Sequence, residues 1–85
     1  MKDLGSKVAE VLNDASITSI IKAKYLADIM ISVFDISVKT EHGVVILNGE
    51  VPNKLIAERV ISIARNTDGV LDIIDNLTTP IVEKR

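Results

Sequence analysis

The fold is decided by residues 35–52, which read DISVKTEHGVVILNGEVP. Two runs of alternating apolar and polar residues flank the turn residues Glu41-His42-Gly43. Such alternation around a glycine-containing turn predicts an antiparallel β-hairpin. The first strand alternates Ile36 and Val38 with polar residues, and the second places on one face Val45, Leu47, Gly49 and Val51.

The composition limits the class of protein. The chain has 85 residues, of which 47% are hydrophobic but only 2% aromatic, so we expect one small domain with an aliphatic core. A net charge of -2 gives no field that would attract nucleic acid, so no nucleic-acid partner is expected. The absence of cysteine excludes disulfides and thiolate metal sites. The one histidine, His42, has no cysteine or second histidine to complete a transition-metal site, so we expect no metal site.

Helical patterns lie on both sides of the hairpin. A run of capping residues at 13–16 precedes a helix whose predicted inward side chains are Ile17, Ile20, Ile21 and Tyr25. Pro52-Asn53 begins a second helix, which ends at residues 66–69 and has a predicted buried stripe of Ala57, Val60, Ile61 and Ala64. Residues 70–78 predict a third strand with Ile73 and Leu77 facing inward.

These elements predict an α+β domain in the order α-β-β-α-β. A helical crossover should place the last strand parallel to one hairpin strand, giving a three-stranded mixed sheet with two helices on one face. Val44 and Ile46 would then lie on the open face of the sheet, where polar residues are usual. We expect the domain to span residues 14–79, after a short amphipathic lead-in helix or linker at 1–13 and before a tail at 80–85.

The connection between the first helix and the first strand is unusually apolar. Residues 28–34 read DIMISVF, whereas connections are usually polar and lie at the surface. The segment could extend the first strand or fold back to cap the core. Alternatively, it could be an exposed patch for a partner or a membrane surface, with the contact residues Ile29, Met30, Val33 and Phe34.

The sequence gives little sign of catalysis. Asp72 and Asp75 lack a companion nucleophile, base or pocket, and no glycine-rich phosphate loop occurs. We therefore expect neither an enzyme nor a cofactor. Lys22, Lys54 and Arg59 could contact anionic lipid headgroups, although such residues are also typical of solvated helix faces.

The sequence leaves two alternatives for the compartment in which the protein is located. No apolar run approaches the roughly 20 residues needed to cross a bilayer, and Met1-Lys2-Asp3-Leu4 lacks the apolar core of a signal peptide. We expect a cytoplasmic protein if Met1 is the native start. Otherwise the chain would be a mature or excised domain.

Short motifs along the chain resemble those of a known family. They are Ile17-Thr18, Lys22-Ala23, residues 35–40, Gly43-Val44-Val45, residues 47–51, Ala64, Gly69-Val70 and Asp75-Asn76-Leu77. In this order and spacing they resemble the BON domain, named for bacterial osmotically inducible and nodulation proteins, over about residues 14–79.

The resemblance implies a non-catalytic module that is typically periplasmic or associated with the outer membrane, so we expect a periplasmic location if the chain is a mature or excised domain. Such modules are proposed to bind phospholipid and often occur in tandem. Other BON-containing proteins are cytoplasmic, and one type binds potassium. This chain departs from the pattern at its apolar 29–34 connection and at Ile46, where Thr or a similar residue is common. Both changes favour interfacial insertion or self-association.

Three functions follow as hypotheses. The first is peripheral binding to anionic phospholipid at the cell envelope, linked to envelope or osmotic stress. The second is an interaction module for envelope proteins or for a second copy of itself, which would use the apolar connection and the open sheet face. The third is sensing of a small ion such as potassium.

Overall fold

The computed structural model describes residues 13–80. Its elements are α1 (Asp14–Ala27), β1 (Ser37–Glu41), β2 (Val44–Glu50), α2 (Lys54–Arg65) and β3 (Asp72–Thr78). The predicted α-β-β-α-β order is confirmed. The predicted lead-in helix and most of the predicted tail lie outside the described residues.

The sheet has the order β1-β2-β3, with β2 at its centre. β1 pairs antiparallel with β2, and β3 pairs parallel with β2, which confirms the predicted mixed sheet. α1 packs on β1, α2 packs on β3, and the two helices touch each other on the same face. None of the elements within residues 13–80 covers the opposite face of the sheet.

The hairpin turn is bound to the start of α1. Both central residues have positive φ, 53° at His42 and 82° at Gly43, as a tight two-residue turn between antiparallel strands requires. The carboxylate of Asp14 accepts hydrogen bonds from both backbone amides, at 2.7 Å from His42 N and 3.0 Å from Gly43 N. These bonds hold the pKa of Asp14 below its ordinary value. The negative charge of Asp14 therefore stabilises the contact between helix and hairpin.

The core is aliphatic, as the composition predicts, with one tyrosine. The phenolic hydroxyl of Tyr25 donates to the backbone oxygen of Val60 at 2.9 Å, and burial raises the pKa of this side chain. The buried apolar residues are Ile17, Ile21, Tyr25, Ile31, Val38, Val45, Leu47, Val51, Ile56, Val60 and Ala64.

Three details of the prediction were wrong. Ile20 is 36% exposed, because α1 buries the single line of residues spaced by four that begins at Ile17, and Ile20 lies beside that line. In α2 the same spacing buries Ile56, while the predicted Ala57 and Ile61 are half-buried. β3 begins at Asp72, because Val70 is held in a turn by its bond to Thr67 O.

Candidate functional site

The connection from α1 to β1 folds back on itself rather than extending the strand. The amides of Ile31 and Ser32 both donate to the backbone oxygen of Asp28, at 3.0 and 2.8 Å, and the amide of Phe34 donates to Ile31 O at 2.9 Å. Tight turns of this kind exclude a strand, so the proposed extension of β1 is wrong. Ile31 is completely buried and caps the core, whereas its neighbours Ile29 and Val33 point to solvent.

Asp28 holds this folded connection in place from both sides. Its carboxylate accepts from the backbone amide of Met30 at 2.9 Å and from Arg59 Nε at 2.9 Å. Desolvation acts to raise the pKa of Asp28, but the bonds from Met30 and Arg59 outweigh it and keep the pKa below its ordinary value. The turn is thus tied to α2 by a charged contact.

Four large apolar side chains lie exposed at this end of the domain within eight residues of sequence. Leu26, Ile29 and Val33 are 75%, 87% and 76% exposed, and Met30 is about half exposed. We call these four residues the 26–33 apolar surface. The sequence prediction included all of them except Leu26. That residue could have been found from its position beside the buried Ile17, Ile21 and Tyr25 line, since a helical wheel places it away from the core.

A shallow groove of about 240 Å³ runs beside this surface. Its lining residues are Lys22, Tyr25, Leu26, Ser32, Phe34, Asp35 and Ile36. A second shallow groove, of about 250 Å³, is lined by Phe34, Glu50, Val51, Pro52 and Pro80. Phe34 is half-buried, packs against the core and borders both grooves. The sequence prediction named neither Ser32 nor Asp35 as a contact residue, although Asp35 begins the motif at residues 35–40.

The three predicted headgroup contacts have different surroundings. Lys22 is exposed and lines the first groove one helical turn before Leu26. Lys54 is the first residue of α2 and is exposed. Arg59 is 48% exposed and already bonded to Asp28. Asp35 and Glu50 border the same grooves, and among residues 13–80 they offset the charges of Lys22 and Lys54.

Val44 and Ile46 lie on the open sheet face, where both are half-buried. The parallel register sets Ile46 beside Ile74, which is 44% exposed, and the antiparallel register sets Ile46 beside Lys39. Lys39 pairs with Glu41 at 3.1 Å. The open face therefore has a narrow apolar strip, formed by Val44, Ile46 and Ile74, with an ion pair along one side. The sequence prediction did not include Ile74.

Other kinds of site find no support in the part of the chain that the structure describes. Residues 13–80 contain no group of three or more His, Cys, Asp or Glu side chains that could hold a metal ion. No helix within the same residues is both long enough and apolar enough to cross a membrane.

Comparison with known proteins agrees with the fold. The family model for the BON domain matches residues 13–80. Osmotically-inducible protein Y of Escherichia coli (strain K12) is 36% identical to this chain over 72 residues. The matched region covers 85% of the chain but 36% of that relative, so the chain spans little more than a third of the length of the curated protein it resembles.

Proposed function

Because the chain belongs to the BON domain family, we propose that it is a non-catalytic binding module that attaches peripherally to a phospholipid surface of the cell envelope. A link to osmotic or envelope stress is supported by its likeness to osmotically-inducible protein Y. The observation that carries the proposal is the 26–33 apolar surface, which is held in place beside a groove.

The main attraction is hydrophobic. Fully burying a Leu, Ile or Val side chain contributes roughly 1.5–3 kcal/mol. Partial insertion of the four side chains of the 26–33 apolar surface would give an affinity comparable with that of a single acyl anchor, which binds reversibly. Because Asp28 and Arg59 fix the connection, little conformational entropy would be lost when the surface inserts.

Electrostatic attraction plays a smaller part. Lys22 lines the first groove, and Lys54 lies two residues after Pro52 of the second groove. Both lysines can approach headgroup phosphates, each contributing about 1 kcal/mol at an anionic surface. Asp35 and Glu50 oppose part of this attraction. We therefore expect anionic vesicles to bind the protein, with a modest loss of affinity at high salt.

Co-sedimentation with anionic phospholipid vesicles at low salt tests the proposal. The wild-type chain should sediment with the vesicles, and a double variant carrying Ile29→Ser and Val33→Ser should bind at least about tenfold more weakly. Leu71→Ser is the matched control, because Leu71 is 79% exposed but lies beside the hairpin turn at the opposite end of the domain. Absence of wild-type binding, or equal binding by all three proteins, would contradict the proposal.

Self-association through the open sheet face is a second candidate. It is favoured by the register of Ile46 beside Ile74, which gives the strip an apolar centre on a face that is usually polar. Sedimentation velocity over a wide range of protein concentrations tests it. A dimer that dissociates in Ile46→Thr would support this function, since Thr keeps the β-propensity of the position. A monomer at every concentration would exclude it.

A further inference from the structure

The first groove is lined by polar and apolar groups in nearly equal measure. Tyr25 and Phe34 contribute aromatic rings, and the hydroxyl of Tyr25 is already used by its bond to Val60 O. Besides Tyr25, the polar residues that line the groove are Lys22, Ser32 and Asp35. A volume of about 240 Å³ is below the roughly 300–1,000 Å³ typical of sites for whole small molecules. The groove is therefore suited to a small group that belongs to a larger ligand.

Lys22 and Asp35 bring opposite charges to this groove without pairing to each other. The ion pairs among residues 13–80 are Lys39 with Glu41 and Arg59 with Asp28. Within that part of the chain neither Lys22 nor Asp35 forms an ion pair, and both residues are exposed. A ligand with one negative and one positive group separated by a short linker would complement both charges at once.

We propose that the groove binds the headgroup of an aminophospholipid, with the phosphate at Lys22 and the primary ammonium at Asp35. This inference rests on the proposed attachment to phospholipid surfaces and specifies the headgroup. The hydroxyl of Ser32 is an additional hydrogen-bond donor for the phosphate. Leu26 lies on the groove and also belongs to the 26–33 apolar surface, so the acyl chains of the lipid can leave the groove toward the inserted side chains.

The chemistry of the two charged residues ranks the common headgroups. A primary ammonium donates hydrogen bonds to a carboxylate, and such charge-assisted bonds are stronger than neutral ones. The quaternary ammonium of choline has no hydrogen to donate, so it would satisfy Asp35 by charge alone. A glycerol headgroup offers no cation and would leave Asp35 facing the lipid phosphate. We therefore expect ethanolamine to be preferred to choline, and choline to glycerol.

Vesicle binding by the full 85-residue chain tests the first step of this ranking, the preference for ethanolamine over choline. Vesicles would contain a constant fraction of phosphatidylglycerol, with phosphatidylethanolamine or phosphatidylcholine as the remainder, so that surface charge does not change. We expect about fivefold tighter binding with phosphatidylethanolamine. This ratio of affinities corresponds to the contribution of one partly solvated hydrogen bond to the binding free energy. Phosphatidylethanolamine also loosens headgroup packing, which can assist any apolar insertion.

Variants separate recognition from packing. Asp35→Asn should remove the preference for phosphatidylethanolamine, and Lys22→Gln should weaken binding to both mixtures. Asp68→Asn is the matched control, because Asp68 is exposed in the turn after α2, away from the groove. A preference that persists in Asp35→Asn would overturn the inference. Equal binding of the wild type to both mixtures would overturn it without affecting the proposed function, whereas absence of binding to every mixture would overturn both.

Soluble O-phosphoethanolamine distinguishes a lipid headgroup from a free zwitterion. If the lipid is the ligand, the soluble compound should shift the amide resonances of Lys22, Ser32 and Asp35 only at high concentration. It should also compete weakly with phosphatidylethanolamine vesicles. Strong binding of the soluble compound, together with no vesicle preference, would identify a small soluble zwitterion as the ligand and overturn the lipid assignment.

Discussion

Asp28 Oδ2 and Arg59 Nε lie 2.9 Å apart and join the connection after α1 to the middle of α2. The same aspartate caps its own turn through Met30 N. This contact therefore joins two residues that are 31 positions apart in sequence. The exposed Ile29 directly follows Asp28 in the chain. We expect the orientation of the 26–33 apolar surface to depend on this contact.

The contact between Asp28 and Arg59 predicts a local effect of Arg59→Gln. Loss of the guanidinium should raise the pKa of Asp28 toward its ordinary value and loosen the turn, since the lowering contribution of Arg59 is removed. The amides of Ile31 and Ser32, which donate to Asp28 O, should exchange with solvent about two- to fivefold faster. Hydrogen exchange measured by NMR checks this. Arg65→Gln serves as control, and unchanged exchange in Arg59→Gln would show that the ion pair does not order the turn.

Truncation of two neighbouring apolar residues in the connection should have very different effects on the free energy of unfolding. Ile31 is completely buried, so Ile31→Ala should lower the free energy of unfolding by about 2–5 kcal/mol. Ile29→Ala should change it by no more than about 0.5 kcal/mol, because that side chain is exposed. Urea unfolding measures both values. Equal losses in the two variants would mean that Ile29 also belongs to the core.

Gly49 should not tolerate a side chain. Its φ is 148°, and a Cβ atom there would lie 2.9 Å from the backbone oxygen of Asp35. We expect Gly49→Ala to cost roughly 1–3 kcal/mol in the free energy of unfolding and to displace Asp35 from the groove. Asn48→Ala is the control, with an expected change within about 0.5 kcal/mol because Asn48 is exposed. A neutral Gly49→Ala would show that the strand can move away from Asp35 freely.

The pKa of Asp14 predicts a dependence of stability on acid. The amides of His42 and then Gly43 lower the pKa of Asp14 in the folded state below its ordinary value of 3.8. The ionised carboxylate therefore stabilises the fold at pH values above 3.8. That contribution is lost as the pH falls through the lower pKa of the folded state. In urea unfolding, the wild type should exceed Asp14→Asn in stability at about pH 7, and the gap should shrink toward about pH 2.5. A gap that does not change with pH would contradict this role of the charge.

Much of the fold could be predicted from local patterns. The alternation in residues 35–52 and the glycine in the turn are enough to predict the hairpin, and the helix spacing predicts the crossover that makes β3 parallel. The errors occur where tertiary packing decides which helix side chains are buried. Ile20, Ala57 and Ile61 are less buried than predicted because the small sheet contacts a narrower line of each helix than the whole apolar arc, and Ile56 is buried because it lies on that line in α2.

The candidate site was less accessible to sequence reasoning. The apolar composition of residues 28–34 drew attention to the right segment, but alternation alone could not show that Ile31 turns inward while Ile29 and Val33 turn outward. The contact between Asp28 and Arg59 and the groove beside Asp35 depend on long-range packing. No spacing of residue types along the chain encodes such contacts.

The most direct test of the central claim is whether the 26–33 apolar surface enters the acyl region of a bilayer. The chain has no tryptophan, so Val33→Trp introduces a single reporter at that surface, and Leu71→Trp introduces one at the opposite end. On addition of phospholipid vesicles, the emission of the Val33→Trp protein should shift to the blue and be quenched by lipids brominated in their acyl chains, while the Leu71→Trp protein should show neither change. An unshifted, unquenched Val33→Trp protein would contradict the account.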